Sequence, residues 1–444
     1  MKILHITFGL PPYVSGGLPL YVERLIDYQI KSGCEVFVLE PGSLKLKKIK
    51  IKKVKNSKIQ LYRIYKSLPV SYNFGISNPK HYLKRVNKTV YEKFLKTINP
   101  NIIHVHSIMG IHKEFFEVAR QMNIRIVMTT HDYFGLCLRS NFINNNDQLC
   151  KGQNKEKCAL CNYNRSITLN KQMLIQTDLY KNIKNNDFLK DIRKKQRIKL
   201  NKIKKGKNTK ISKKLEDLYG ELLNYYKDIY GYIDYFIYSS SLCKKIYCKN
   251  LPTKGEVLHI TLPEIHKYKI NKKSNKKMVI GYIGRREKYK GVDILVEAVK
   301  KLKNVECYLY GDDFEEYEDR KHSIYSKGVF LHENINEVLS NIDILVVPSI
   351  CYETFCFPII EGLSFNIPVL VSENVGAKDL IKKAPINAIF KPTSEDLCEC
   401  IKNVQKDDNY LKYKNWIESS SLFDDMETHI NKMNKIYEKV INSD

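Results

Sequence analysis

Short apolar runs alternate with stretches of helical period along both halves of the chain. "KILHITF" from Lys2 has the form of a buried strand. After the turn "GLPPYVSGG", apolar positions Leu18, Val22, Leu25, Ile26 and Ile30 recur at helical spacing until Gly33 ends the helix. "CEVFVLEPG" reads as a second strand, and "NIIHVHS" and "IRIVMTTHDY" as two more, with a helical "KEFFEVARQMN" between them. "IDYFIYSSSLCKKIY" from Ile233 predicts the last strand of this half and the start of its helix. A second series begins near "KKMVIGYIGRREKYKGVDILVEAVKKLKNVECYLYGD" and continues through the buried strands "IDILVVPS" and "IPVLVSEN". Strand and helix in regular alternation predict parallel sheets covered on both faces. The polar tail from Tyr410, which holds the single tryptophan, Trp416, predicts terminal helices.

Length turns this pattern into two domains. A chain of 444 residues is too long for one core, and 43% hydrophobic residues suffice for two. The expected division is a first doubly wound domain over 1–255 with a basic insertion at about 162–230, a second over 256–415, and a helical tail over 416–444. "KYKINKKSNKK", from Lys267 to Lys277, is the linker candidate. No apolar run reaches the length of a bilayer span, and the start reads as a strand rather than a signal peptide, so a cytoplasmic location is expected.

The formal charge of +27 points to an anionic partner. Lys181 to Lys214 carries fifteen basic residues against Asp187 and Asp191, and "KLKKIKIKKVKNSK", from Lys45 to Lys58, alternates lysine with apolar residues as a half-exposed strand would. Both stretches suit solvated surface and equally a face that meets anionic lipid. Nucleic-acid binding has only charge in its favour, because no recognised motif accompanies it. Twelve cysteines without an export signal are expected to be reduced thiols. Cys137, Cys150, Cys158 and Cys161 form a candidate structural zinc site, although gaps of twelve, seven and two residues lack two-knuckle symmetry and also suit free thiols.

Ligands of open parallel sheets bind outside the carboxyl ends of the strands, so the loops after strands hold the candidate chemistry. Gly16 and Gly17 follow the first strand and allow close approach of backbone to a ligand, or a tight turn. "GRREKYKG" places Arg285 and Lys290 between two glycines, a pairing suited to a diphosphate. The loop lacks the patterns of a P-loop kinase and of a dinucleotide dehydrogenase. "TTHDYFG" sets His131 and Asp132 after a strand, where a histidine can bond a sugar hydroxyl or move a proton; His104 and His106 read as readily as strand-end packing. In "YETFCFPIIEG", Pro358 marks a first helical turn, with Glu353 in the loop before it and Glu361 one turn inside. A helix start between two acids suits a phosphate at the N-terminus and a ribose on the inner carboxylate. Taken alone, the stretch also suits a dipole-favoured helix residue and a solvated loop acid.

The ordered set "PPYVSGG", "HVHS", "HDYFGLC", "GRREKYKG" and "ETFCFPIIEG" resembles family 4 of the retaining glycosyltransferases. That resemblance implies the GT-B fold, two Rossmann-like domains facing each other across a cleft. It implies a nucleotide-diphosphate sugar as donor, no metal required for catalysis, and a glycan or lipid-linked acceptor held by the first domain. By the same resemblance Arg285 and Lys290 grip the diphosphate, Glu361 the ribose, and Glu353 the donor sugar with help from the amides of Thr354 and Phe355. Gly16 and Gly17 lie near the phosphates and the acceptor, and His131 near the sugar's outer hydroxyls. His131, Glu353, Arg285 and Lys290 form the expected catalytic set. Three positions depart from the family: Cys356 and Asn366 stand where glycine is usual, and "VLHITLP" lacks the usual asparagine-glycine pair. The expected activity is metal-independent, retaining sugar transfer in cell-surface polysaccharide synthesis, peripherally at the inner, anionic membrane surface. The alternative is a GT-B protein that binds a glycan or partner without turnover, for which Cys356 is the main argument.

Overall fold

The computed structural model describes the chain apart from residues 45–47, 164–167, 178–179, 181–210, 269–276, 407 and 444. The first half supplies strands β1 (Lys2–Ile6), β2 (Glu35–Pro41), β3 (Lys50–Lys53), β4 (Gln60–Tyr65), β5 (Ile102–Val105), β6 (Arg125–Thr130), β7 (Tyr235–Tyr238) and β8 (Gly255–Val257). They form one sheet in the order β3-β4-β2-β1-β5-β6-β7-β8, parallel except where β3 pairs antiparallel with β4. The second half supplies β9 (Met278–Ile283), β10 (Val305–Tyr310), β11 (Ile324–Gly328), β12 (Ile344–Val347), β13 (Val369–Ser372) and β14 (Ile389–Phe390), in the all-parallel order β11-β10-β9-β12-β13-β14. β5, β7, β12 and β13 are buried at every residue, as strands covered by helices on both faces must be. These are the two doubly wound domains that the alternating pattern predicts.

Strand order decides where ligands go. In the first sheet the chain winds outward from β1 in both directions, towards β2 and towards β5. In the second it does the same from β9, towards β10 and β12. The crevices at these reversals open at the carboxyl ends of β1, β5, β9 and β12. All the candidate loops but one follow these strands; the loop of His131 follows β6, beside β5.

One helix departs from the sequence reading, and the expected terminal helices take an unexpected place. Lys213–Tyr230, at the end of the basic segment, is a core helix that buries Tyr219, Leu222, Tyr226, Ile229 and Tyr230. The final helix, Met426–Ile441, returns to the first sheet, where Met433, Ile436, Tyr437 and Val440 pack against Ile3, Ile102, Val127 and Ile237. Most of the basic stretch from Lys181 to Lys214, Lys45 to Lys47 of the shorter one, and most of the linker candidate lie outside the described residues.

Candidate active site at the facing loops

The loop after β9 and the loop after β12 meet in an ion pair. Lys290 Nζ lies 2.5 Å from Glu353 Oε1, and Ser349 Oγ donates to the same oxygen at 2.9 Å. Cys351 Sγ approaches it at 3.6 Å. Burial is the largest single influence and opposes both charges, but the surrounding interactions together, with the ion pair foremost among them, outweigh it: Lys290 is held well above the ordinary lysine range and Glu353 below the ordinary carboxylate range. Both groups are therefore charged. Lys290 is placed by Gly291 (φ 78°), where a Cβ would lie 1.9 Å from the oxygen of Pro348, so only glycine lets the loop pass that close. Arg285 is exposed at the head of the same loop, its backbone oxygen accepting from Tyr282 OH at 2.9 Å.

Past Glu353 the chain turns through Cys356 into the helix Phe357–Ser364, with Pro358 in its first turn. Cys356 has φ 103° and ψ 95°, a conformation that L side chains rarely adopt. The glycine usual there in the resembled family is explained by that angle. Burial, then Glu353, pushes the Cys356 thiol up, so it is protonated. Glu361, one turn in, is only 8% exposed, and its Oε1 pairs with His332 Nε2 at 2.8 Å. The bond holds His332 above the ordinary imidazole range. Sequence reasoning missed His332, although its place shortly after β11 is one where the carboxyl-end rule would look.

The first domain meets this helix end-on. Gly17 is the first residue of the helix Gly17–Lys31, and a Cβ on it would lie 3.0 Å from two ring carbons of Phe357, the first residue of the opposing helix. Gly16, with φ 136°, makes the preceding turn. The first residues of two helices therefore meet, and Cys356, directly before one of them, lies within electrostatic reach of Lys290 and Glu353; each helix start carries positive potential of its own. Thr354 joins the domains: its Oγ1 donates to the backbone oxygen of His131 at 3.0 Å, while Ser239 and Ser240 hydroxyls donate to its own backbone oxygen at 3.0 and 2.7 Å. Phe355 is buried beneath it, its backbone oxygen accepting from Ala377 N–H at 3.1 Å.

His131 lies at the edge of a network of buried imidazoles. Its Nε2 is 3.2 Å from His106 Nδ1, and His106 Nε2 is 2.9 Å from His5 Nδ1. Burial, then His429, pushes His131 down to about 3, so its ring is neutral. His5, His104 and His106 have ring nitrogens within 4.8 Å of one another, the spacing of a metal site. Each of those nitrogens already has a protein partner, so the group is a hydrogen-bond network.

The zinc expectation is corrected. His5, His104 and His106 are the one group of three or more ligand-type side chains with converging atoms among the described residues, and Cys137, Cys150, Cys158 and Cys161 do not form another. Their sulfurs are spent locally: Cys150 Sγ donates to Gly152 O at 3.3 Å, and Cys161 Sγ to Ile143 O at 3.7 Å. Burial pushes the Cys158 thiol up to about 12 and raises Cys137, which favours thiols over the thiolates zinc requires.

Comparisons with known proteins bear on the family and the fold. Residues 264–421 match the family described as "Glycosyl transferases group 1", and residues 15–151 match "Glycosyltransferase Family 4". No curated protein matches the sequence. Among solved structures, the chain resembles sucrose-phosphate synthase from Thermosynechococcus elongatus at TM-score 0.59 and 14% identity, covering 99% of this chain and 98% of that one. It resembles Anabaena HepE in complex with UDP-glucose at TM-score 0.51 and 14% identity, with 99% and 100% covered. A third likeness is to WaaG, a glycosyltransferase involved in lipopolysaccharide biosynthesis, at TM-score 0.55 and 12% identity, with 99% and 100% covered. At such identities the likeness speaks for the GT-B fold.

Proposed function

The chain belongs to glycosyltransferase family 4, the retaining enzymes that draw on nucleotide sugars, and from that premise we propose that it extends a glycan or lipid-linked acceptor in cell-surface polysaccharide synthesis. The observation that carries the site reading is the meeting of two helix starts, through Gly17 and Phe357, with Cys356 directly before one of them in electrostatic reach of the paired Lys290 and Glu353. A diphosphate placed there meets two dipoles, and Arg285 and Lys290 are within the same loop to take its charge. In this reading charge growing on the leaving diphosphate is stabilised by groups already in position. Glu353 carries the donor sugar's hydroxyls, and the amides of Thr354 and Phe355 border it. Glu361 takes the ribose with the carboxylate oxygen that His332 leaves open. Gly16 and Gly17 border the phosphates, and His131 meets the outer hydroxyls of the sugar.

The UDP-glucose bound by HepE and the lipopolysaccharide role of WaaG supply the candidate donor and the candidate acceptor class. The peripheral membrane part rests on the net charge of +27 together with the absence, among the described residues, of any helix long and apolar enough to cross a bilayer. Binding to liposomes that does not respond to anionic lipid content removes it.

The test of the site is a thermal-shift panel of UDP, GDP, ADP, CMP and their common sugars, with and without Mg2+. Stabilisation by one nucleoside diphosphate, equal with and without the metal, is expected and names the base. No shift with any of them, on folded protein, sinks the donor-site reading.

A further inference from the structure

The imidazoles behind His131 form a directed chain that ends at a single side-chain amide. Gln29 Oε1 is 2.8 Å from His5 Nε2, and Gln29 Nε2 donates to Tyr437 OH at 3.1 Å. A carbonyl oxygen can only accept, so His5 carries its proton on Nε2 and offers a bare Nδ1. His106 must then donate from Nε2 to that Nδ1, at 2.9 Å, which leaves its own Nδ1 bare. His131 must in turn donate from Nε2 to His106 Nδ1, at 3.2 Å. The Nδ1 of His131 is what remains, and among the described residues it has no partner.

The other arm is consistent with the same amide orientation. Tyr437, which receives the Gln29 N–H, donates to His104 Nδ1 at 2.7 Å, and His104 Nε2 donates to Thr129 Oγ1 at 2.8 Å. His5, Gln29, His104 and His106 are fully buried, so no bulk water competes for these bonds. Turning the amide over would reverse every donor and acceptor in the chain and leave an N–H on His131 Nδ1. One rotation about the end of Gln29 therefore has an effect three rings away.

We infer that Gln29 is a positioning residue that sets the tautomer of His131 through His5 and His106, so that His131 presents an unprotonated Nδ1 to a hydroxyl of the substrate. The assignment of that hydroxyl rests on the sugar-site reading above; the relay itself does not. A neutral imidazole fixed in this form accepts a hydrogen bond from an O–H group and cannot donate one at Nδ1. Tyr437 anchors the amide, which gives the C-terminal helix a part in the site without touching substrate.

The test is long-range proton–nitrogen NMR of histidine-labelled full-length protein at pH 7.5, with His131 assigned by loss of its signals in His131→Gln. The wild type is expected to show His131 with Nε2 protonated and Nδ1 bare. Gln29→Met, close in shape but without polar atoms, is expected to shift His131 to a mixture of tautomers, and Tyr437→Phe to do so less completely. A wild-type His131 protonated at Nδ1 overturns the proposal, as does an unchanged tautomer in folded Gln29→Met. Should Gln29→Met not fold, the wild-type and Tyr437→Phe spectra still decide. The predicted tautomer on protein that binds no nucleotide would leave the relay standing and remove the sugar-site reading. Nucleotide binding with the opposite tautomer would do the reverse.

Discussion

Glu353 and Cys356 set opposite demands on one short loop. Glu353 is charged because Lys290 offsets its burial, so a neutral isostere removes the charge while keeping the shape. Glu353→Gln is expected to lower kcat on the order of a hundredfold with modest change in donor binding, since the lost charge helps hold Lys290 where negative charge grows. Glu361→Ala should instead weaken nucleotide binding by roughly ten- to a hundredfold, the range for a lost hydrogen bond to a charged group. Steady-state kinetics and calorimetry separate the two, and wild-type behaviour in either variant removes that residue from its role. Cys356 is different: its φ of 103° is paid for by the rest of the fold. Cys356→Gly is expected to raise stability by about 1 kcal/mol without loss of turnover, and an unchanged or lower denaturation midpoint would show that the thiol's packing matters more than the angle. Motif spacing brought Glu353, Glu361, Arg285 and Lys290 into view. It did not reveal that Lys290 is bound to Glu353 or that His332 holds Glu361, because both are contacts between loops of different strands.

At the scale of elements, the apolar runs were legible because strands covered on both faces have nowhere to put polar residues. β1, β2, β5, β6, β9, β12 and β13 all fall inside the predicted runs. The helix Lys213–Tyr230 was hidden by the lysines before it, although Tyr219, Leu222, Tyr226 and Ile229 follow helical spacing and are buried. The contact between Gly17 and Phe357 was equally illegible, since a glycine pair after a strand also makes an ordinary turn. It has a direct consequence for function. A Cβ at Gly17 would sit 3.0 Å from the Phe357 ring, closer than such contacts ordinarily come, so the ring at the start of the opposing helix must give way by a few tenths of an ångström. Gly17→Ala is therefore expected to reduce kcat/KM roughly tenfold while the melting temperature holds, because misplacement at the facing ends acts on the reacting groups and not on either core. A fall in stability equal to the fall in activity would assign Gly17 to packing alone.

For the whole molecule, the final helix ties the second half of the chain to the first sheet, and it does so through histidine chemistry. Tyr437 bonds His104 and Gln29, and His429 Nε2 bonds Tyr21 OH at 2.7 Å. No local pattern announces these contacts, which join residues 333 to 408 positions apart. Burial is the main cause that pushes His5 and His429 down to about 4 and His131 and His112 to about 3, and it holds His104 and His106 well below the ordinary imidazole value. These rings stay neutral when folded but take up protons when unfolded, once pH drops below about 6.5. The unfolded state then binds more protons than the native one, so stability rises with pH through this window and levels off above it. Each such histidine contributes a loss of up to about 1.4 kcal/mol for every pH unit below the unfolded value, and several acting together make the loss steep. Chemical denaturation between pH 7.5 and 5 should show the native state weakening sharply below about 6.5, and His429→Gln should flatten that slope by removing one of the titrating rings. An acid slope that is absent, or the same in His429→Gln, would mean that the buried rings are not held neutral as a group. The same measurement bears on catalysis, since activity that falls in step with stability between pH 6.5 and 5 would trace to loss of the fold around His131 rather than to titration of a group that touches substrate.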